Sequence, residues 1–303
     1  MAIVLVDTPN NDARRRQMLF DGEILSYSLR QSTRRLCDYA RELLAKHFHP
    51  YDPRTAQDHM AVEDYVEVLR KVKPEFINSD RSKALLQAML SEFGCDGQKT
   101  YFDLPRLRTS THSNYLTSGM AYAYHPHRDT WFSAPMCQIN WWLPVYDVDE
   151  DNCLALHPQY FSREIQNSSG NFDYDDWVNV GRRHAHKHVK HDDRVQPRAE
   201  EPLELEPSLR VINGVGGVHL FSAAQLHSSV PNTTNETRLS IDFRTIHLDD
   251  IVACRGAVNV DSAATGTNLG DFLRVADLQV VEPAIVGEYR DFSYSRLSVS
   301  ASE

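Results

Sequence analysis

Apolar residues recur at helical spacing through the first third of the chain and alternate with polar ones through the middle. From about Thr33 to Phe48, Leu36, Ala40, Leu43 and Leu44 fall three or four apart, which predicts an amphipathic helix stopping at His49-Pro50. A second helix is expected from about Thr55 to Val72, with Val62, Tyr65, Val66, Leu69 and Val72 as its buried stripe and Pro74 as its end. A third takes Ser79 or Asp80 as N-cap, buries Leu85, Leu86, Met89, Leu90 and Phe93, and closes at Gly94 with a left-handed cap. Ahead of these, residues 2–6 and 22–29 read as two short strands that pair.

After Gly97 the period falls to two. Strands are expected over 100–107, 118–125, 136–146, 152–156, 209–212, 217–221 and 238–247. Strands in that number, separated by turns, predict a double-sheet jelly roll, a cupin-like double-stranded β-helix. The fold class is therefore mainly β with flanking helices (α+β). One domain over residues 1–303 is expected: a helical flank to 98, a core from 99 to 250 and a C-terminal extension from 251. Residues 159–207 interrupt the core, and an insertion of that length reads as a lid or binding loop. Its His184, His186, His188 and His191 are interleaved with lysines and lack a carboxylate or cysteine at ligand spacing, so they read as a surface loop.

Composition narrows the function classes. The 303 residues carry 32 basic and 42 acidic side chains, a net charge of −10. That balance argues against partners with phosphate backbones or anionic membranes, so neither nucleic acid nor membrane is expected. The cysteines at 37, 95, 137, 153 and 254 are irregularly spaced and suggest neither a disulfide framework nor a zinc site. Reduced thiols fit a cytoplasmic location. The apolar start Met1–Val6 is too short and lacks the basic residues of a signal peptide, and no run reaches the ~18 apolar residues of a membrane span.

The chemistry concentrates in Tyr122-Ala123-Tyr124-His125-Pro126-His127-Arg128-Asp129. On an extended strand His127 and Asp129 point to the same face, where an imidazole and a carboxylate grip one metal ion. His227, in Gln225-Leu226-His227-Ser228, is the best third ligand. Two histidines and one carboxylate form a facial triad on iron(II) that leaves its other positions open for a co-substrate and dioxygen. Further on, Arg238-Leu239-Ser240-Ile241-Asp242-Phe243 reads as a strand with Arg238 and Ser240 on one face. A guanidinium and a hydroxyl so placed hold the far end of a dicarboxylate.

These pieces, in this order, resemble the iron(II)- and 2-oxoglutarate-dependent oxygenases, and among them the phytanoyl-CoA dioxygenase-like branch. The resemblance runs through His127-Arg128-Asp129, Gln138-Ile139-Asn140-Trp141-Trp142-Leu143-Pro144, Asp151-Asn152-Cys153-Leu154 to Pro158, and Gly217-Val218-His219-Leu220-Phe221 into His227 and Arg238. It spans roughly residues 115–247 and departs from the branch's pattern in having Cys153 for glycine and His157-Pro158 near its Pro-Gly-Ser-His. The resemblance implies that His127, Asp129 and His227 hold Fe(II). It also implies that 2-oxoglutarate chelates the iron with its 5-carboxylate on Arg238 and Ser240, and that dioxygen hydroxylates a small polar metabolite, releasing succinate and carbon dioxide. The expected partner is thus a small-molecule substrate. Desaturation, dealkylation or cyclisation by the same chemistry, a metal-binding sensor or carrier, and an oxygenase without 2-oxoglutarate are the alternatives. Because Asp129 keeps its carboxylate, halogenation is not expected.

Other residues have two readings. Gln138, Asn140 and Trp142 share a strand face and either reach the oxoacid or substrate or simply pack. His125, two residues before His127 on the same face, reads as a substrate or outer-shell contact, and Tyr122 and Tyr124 either bond the oxoacid or substrate or pack as strand aromatics. His219 reads as a core histidine, and Arg128 should face away from the metal.

Overall fold

A computed structural model describes residues 4–117, 125–178 and 196–290. The large sheet contains β1 (Val4–Val6), β2 (Ile24–Tyr27), β3 (Thr100–Phe102), β4 (Arg106–Ser110), β5 (Ile139–Pro144), β8 (Val218–Ser222), β10 (Arg238–His247) and β11 (Leu273–Arg274). Its order is β1-β2-β8-β5-β10-β3-β11, and β4 also pairs with β10. A small sheet contains β6 (Leu154–Leu156), β7 (Leu209–Arg210) and β9 (His227–Ser229), in the order β7-β6-β9.

Period-two alternation sorts the large sheet's faces. Ile139, Trp141 and Leu143 on β5, Val218 and Leu220 on β8, and Leu239, Ile241 and Phe243 on β10 join the main hydrophobic core. That core is completed by helices α1 (Asp12–Phe20), α2 (Gln31–Phe48), α3 (Val62–Asn78) and α4 (Asp80–Glu92). Burying each Leu or Phe there contributes about 1.5–3 kcal/mol relative to exposure. The intervening residues point the other way. There Trp142, Phe221 and Ile24 meet Leu154 and Leu156 of the small sheet in a second apolar cluster. The result is a layered arrangement of helices, large sheet and small sheet, with polar residues gathered between the sheets.

Several expected elements differ in extent. The helix expected over 55–72 begins at Val62 and runs through Pro74 to Asn78. Proline removes one hydrogen bond, but Leu69, Val72 and Phe76, all buried, hold the helix on both sides of it. The helix after it has Ser79 as N-cap, its side chain accepting from the backbone of Arg81 and Ser82, and Gly94 follows at φ 72°. The strand expected over 100–107 is two, β3 and β4, parted at Pro105, and both pair with β10. Most of the strand expected at 118–125 lies outside the described residues. Helix α1 was not expected. Among the described residues no helix is long and apolar enough to cross a membrane.

Candidate metal centre

His127 and His227 sit opposite one another and exchange both backbone hydrogen bonds, 3.0 Å each way. Their ring centroids are therefore only 4.3 Å apart. Asp129 reaches the same point differently from the extended-strand expectation. It opens a short 3-10 turn, Asp129–Phe132, that ends at Ser133 in the left-handed region (φ 62°), and its N–H bonds the carbonyl of Ala223 at 3.0 Å. The turn brings Asp129 Oδ1 within 3.5 Å of His127 Nε2 and 3.8 Å of His227 Nε2. All three residues are buried, and their ligand atoms lie within 4.8 Å of one another. A transition-metal ion with bonds of about 2.0–2.2 Å spans such a group.

Backbone carbonyls set the protonation of both rings. His127 Nδ1 meets the carbonyl of His125 at 2.8 Å, and His227 Nδ1 meets that of Gln225 at 3.0 Å. A carbonyl only accepts, so each Nδ1 carries the proton and each Nε2 keeps a lone pair for a cation. The carboxylate is similarly divided. Oδ2 of Asp129 accepts from Gln138 Nε2 at 3.1 Å and faces Arg244 Nε at 3.5 Å, which leaves Oδ1 for the imidazoles. Burial pushes the Asp129 carboxyl up, but Arg244 and the two histidines outweigh it and hold it well below the usual carboxylate range. Burial, then the neighbouring His127, push His227 down to about 3, so it stays a neutral donor.

A cavity of about 450 Å³ opens from this point between the sheets. Its floor includes the inward face of β10, where Arg238, Asp242 and Arg244 recur at alternate positions. Arg244 is ringed by acids: Asp242 at 3.1 Å, Asp103 at 3.4 Å and Asp129. Arg108 closes the network with a two-pronged contact to Asp242 at 2.8 and 3.1 Å. Arg238 has no such company. Its Nη1 donates to the carbonyls of Asn152 and Cys153 at 3.2 and 3.1 Å, its Nη2 to Ser229 Oγ at 3.3 Å, and its buried Nε has no partner among the described residues. Burial pushes it down to about 10. Ser240 Oγ is likewise buried without a partner among the described residues, although Ser240 is not part of the cavity wall.

The remaining candidates fall in distinct places. Gln138 and Asn140 both line the cavity, and Gln138 Nε2 also donates to Asn140 Oδ1 at 3.0 Å. Trp142 lines it too, 6.0 Å from the Arg238 guanidinium. His125 turns its ring to the carbonyl of Pro197, at 3.0 Å, and burial pushes it down to about 4. Tyr122, Tyr124 and the histidines at 184, 186, 188 and 191 lie outside the described residues. His219 stacks on Trp142 and takes a hydrogen bond from Asn213, apart from the His127, Asp129 and His227 group. From the 159–207 insertion, Phe172, Tyr174, Trp177 and Gln196 contribute to the wall. Arg244 was not anticipated, although the alternation of polar residues Arg238, Ser240, Asp242 and Arg244 along one strand face was there to be read.

No family model matches the chain, and no curated protein matches it. Among solved structures, it is similar to the non-heme alpha ketoglutarate dependent epimerase SnoN from nogalamycin biosynthesis, at 16% identity over 78% of this chain and 84% of that one, with a TM-score of 0.37. EvdO2 from Micromonospora carbonacea var. aurantiaca complexed with 2-oxoglutarate is 12% identical over 81% and 94%, with a TM-score of 0.42. The carbocyclase SnoK from nogalamycin biosynthesis is 14% identical over 80% and 85%, with a TM-score of 0.39. Likeness at this level carries no argument for fold or activity, so the assignment rests on the site.

Proposed function

We propose that the chain is an iron(II)- and 2-oxoglutarate-dependent oxygenase acting on a small molecule. One observation carries this reading: a buried guanidinium without a carboxylate partner among the described residues stands close to a convergent His-Asp-His group. The spacing follows from β9. His227 and Ser229 alternate onto one face, about 7 Å apart, and Arg238 touches Ser229. That separation suits a five-carbon dicarboxylate with one end at the metal and the other on Arg238.

The donor set fits the metal. His127 and His227 would supply neutral nitrogens and Asp129 one carboxylate oxygen to iron(II), leaving the rest of its coordination to a co-substrate and dioxygen. Iron with the oxoacid and dioxygen supplies oxidation of a substrate C–H bond, with release of succinate and carbon dioxide. The chain's own residues bind and orient. Arg238 holds the distal carboxylate, with Ser240 beside it on the same strand face. Gln138 and Arg244 keep Asp129 bound through one oxygen. Phe132, Phe172 and Trp177 give part of the cavity an apolar wall that excludes water from the reacting atoms. Hydroxylation is the favoured outcome, and substrate pose decides between it and desaturation, dealkylation or cyclisation.

Incubation with iron(II), 2-oxoglutarate and air should yield succinate above a protein-free control, read by mass spectrometry. His127→Ala and Asp129→Ala should each reduce it to background. Tight binding of metal and oxoacid with no succinate in the presence of any candidate substrate would instead identify a sensor or carrier.

A further inference from the structure

Arg128 lies between two ligand residues yet turns its side chain away from them into an almost solvent-free cluster. Its Nε meets Asp261 Oδ2 at 3.0 Å. Its Nη1 donates to the carbonyl of Ala224 at 2.5 Å, and its Nη2 to those of Tyr160 and Arg163 at 2.7 and 2.8 Å. The other oxygen of Asp261 accepts from Trp131 Nε1 at 2.8 Å. The next residue, Ser262, donates its hydroxyl to the carbonyl of Thr130 at 2.6 Å. Residues 128, 130 and 131 are thus gripped by two consecutive residues of the C-terminal extension, with Asp129 in their midst. Ala224 in turn belongs to the chain leading into His227, and its neighbour Ala223 accepts from the Asp129 N–H.

We propose that Asp261 is a positioning residue for the metal centre, acting through Arg128 and Trp131 to hold the Asp129 turn in register with the chain that carries His227. The inference rests on the reading of His127, Asp129 and His227 as metal ligands. Asp261 never faces the metal. It fixes the turn that aims Asp129 Oδ1, and because Arg128 also binds the Ala224 carbonyl, loosening the Asp261 contact lets both ligand segments drift apart. The extension enters this position on a close contact. A Cβ on Gly256 would lie 2.4 Å from the Met136 backbone, and Ala257 N–H bonds the Met136 carbonyl at 2.9 Å. The segment before Gln138 is therefore tied to the same extension.

The test uses the full chain and cobalt(II) alone, titrated by calorimetry and by the visible spectrum of the bound ion. Asp261→Asn should weaken cobalt binding about 10–100-fold, the usual cost of losing an outer-shell partner, and shift the spectrum at saturation. Trp131→Phe, which removes one of the two contacts between Asp261 and the segment carrying Asp129, should have a smaller effect. The double variant Arg128→Met/Asp261→Leu removes both charges together and so leaves no unpaired buried charge, which makes it the second variant in case Asp261→Asn does not fold. It too should bind cobalt more weakly. Unchanged affinity and spectrum in whichever of these variants fold, even with a lower melting temperature, overturn the inference and leave Asp261 a purely structural clamp. No cobalt binding by the unaltered chain overturns the metal centre itself and the inference with it.

Discussion

Two guanidinium groups share the inward face of β10 and keep opposite electrostatic company. Arg244, at one end, faces Asp103, Asp129 and Asp242, whose charges together raise its pKa above the ordinary arginine value despite burial. Arg238, at the other, hydrogen-bonds carbonyls and a hydroxyl and no carboxylate among the described residues, and burial lowers it. An unpaired buried charge costs several kcal/mol, whereas a paired one is nearly neutral in stability. Arg244 therefore belongs to the scaffold behind Asp129. Arg238 has no carboxylate partner among the described residues, which is what an anion-binding role for it would require.

Exchanging each arginine for methionine separates the two roles. Arg244→Met takes a shared cation from three buried carboxylates, Asp242 keeping Arg108 and Asp129 keeping Gln138, and should lower unfolding stability by about 3–5 kcal/mol, read by denaturant titration of the metal-free protein. It should also weaken metal binding, since Asp129 loses one of its two outer partners. Arg238→Met should leave that stability level or higher. Its loss appears instead in calorimetric titration of 2-oxoglutarate into the metal-loaded protein, as about 2–5 kcal/mol, a roughly 30-fold or greater rise in Kd. A large stability loss in Arg238→Met, with oxoacid affinity intact, would reverse the comparison.

The smallest effect concerns His219, which stacks on the Trp142 ring that Arg238 overlooks. Burial pushes His219 down to about 4 from 6.5. Between those values the unfolded chain binds a proton that the folded chain refuses, so stability falls as pH drops through this window. The contribution is at most about 1.4 kcal/mol per pH unit. His219→Asn should flatten the stability–pH profile by up to that slope, and an unaltered profile would show that the ring already accepts the proton when folded.

The convergence of His127, Asp129 and His227 was legible because each motif is short and carries unusual residue types at fixed spacing. Arg244 was not, because its partners Asp103 and Asp129 come from distant segments that only the folded sheet brings together. Gln138 was legible as a residue facing the site, while its contact with Asp129 depends on the 3-10 turn. That turn stands where an extended strand was expected, with the N–H of Asp129 on the Ala223 carbonyl. Helix α1 escaped notice because Arg14-Arg15-Arg16 disguises its buried side. Arg15 is itself buried, its guanidinium bonded to the Phe93 carbonyl and set over Trp141. Pro74 misled for a simpler reason: a breaker acts on local propensity, and tertiary packing overrode it.

Each imidazole at the centre is anchored by the carbonyl two residues before it in its own chain, His125 for His127 and Gln225 for His227. The rings are thus aimed before any ion arrives, by bonds that a chelator cannot remove. An ion stripped from this protein should be replaceable without refolding, and congeners of similar size should enter the same cradle in competition with iron.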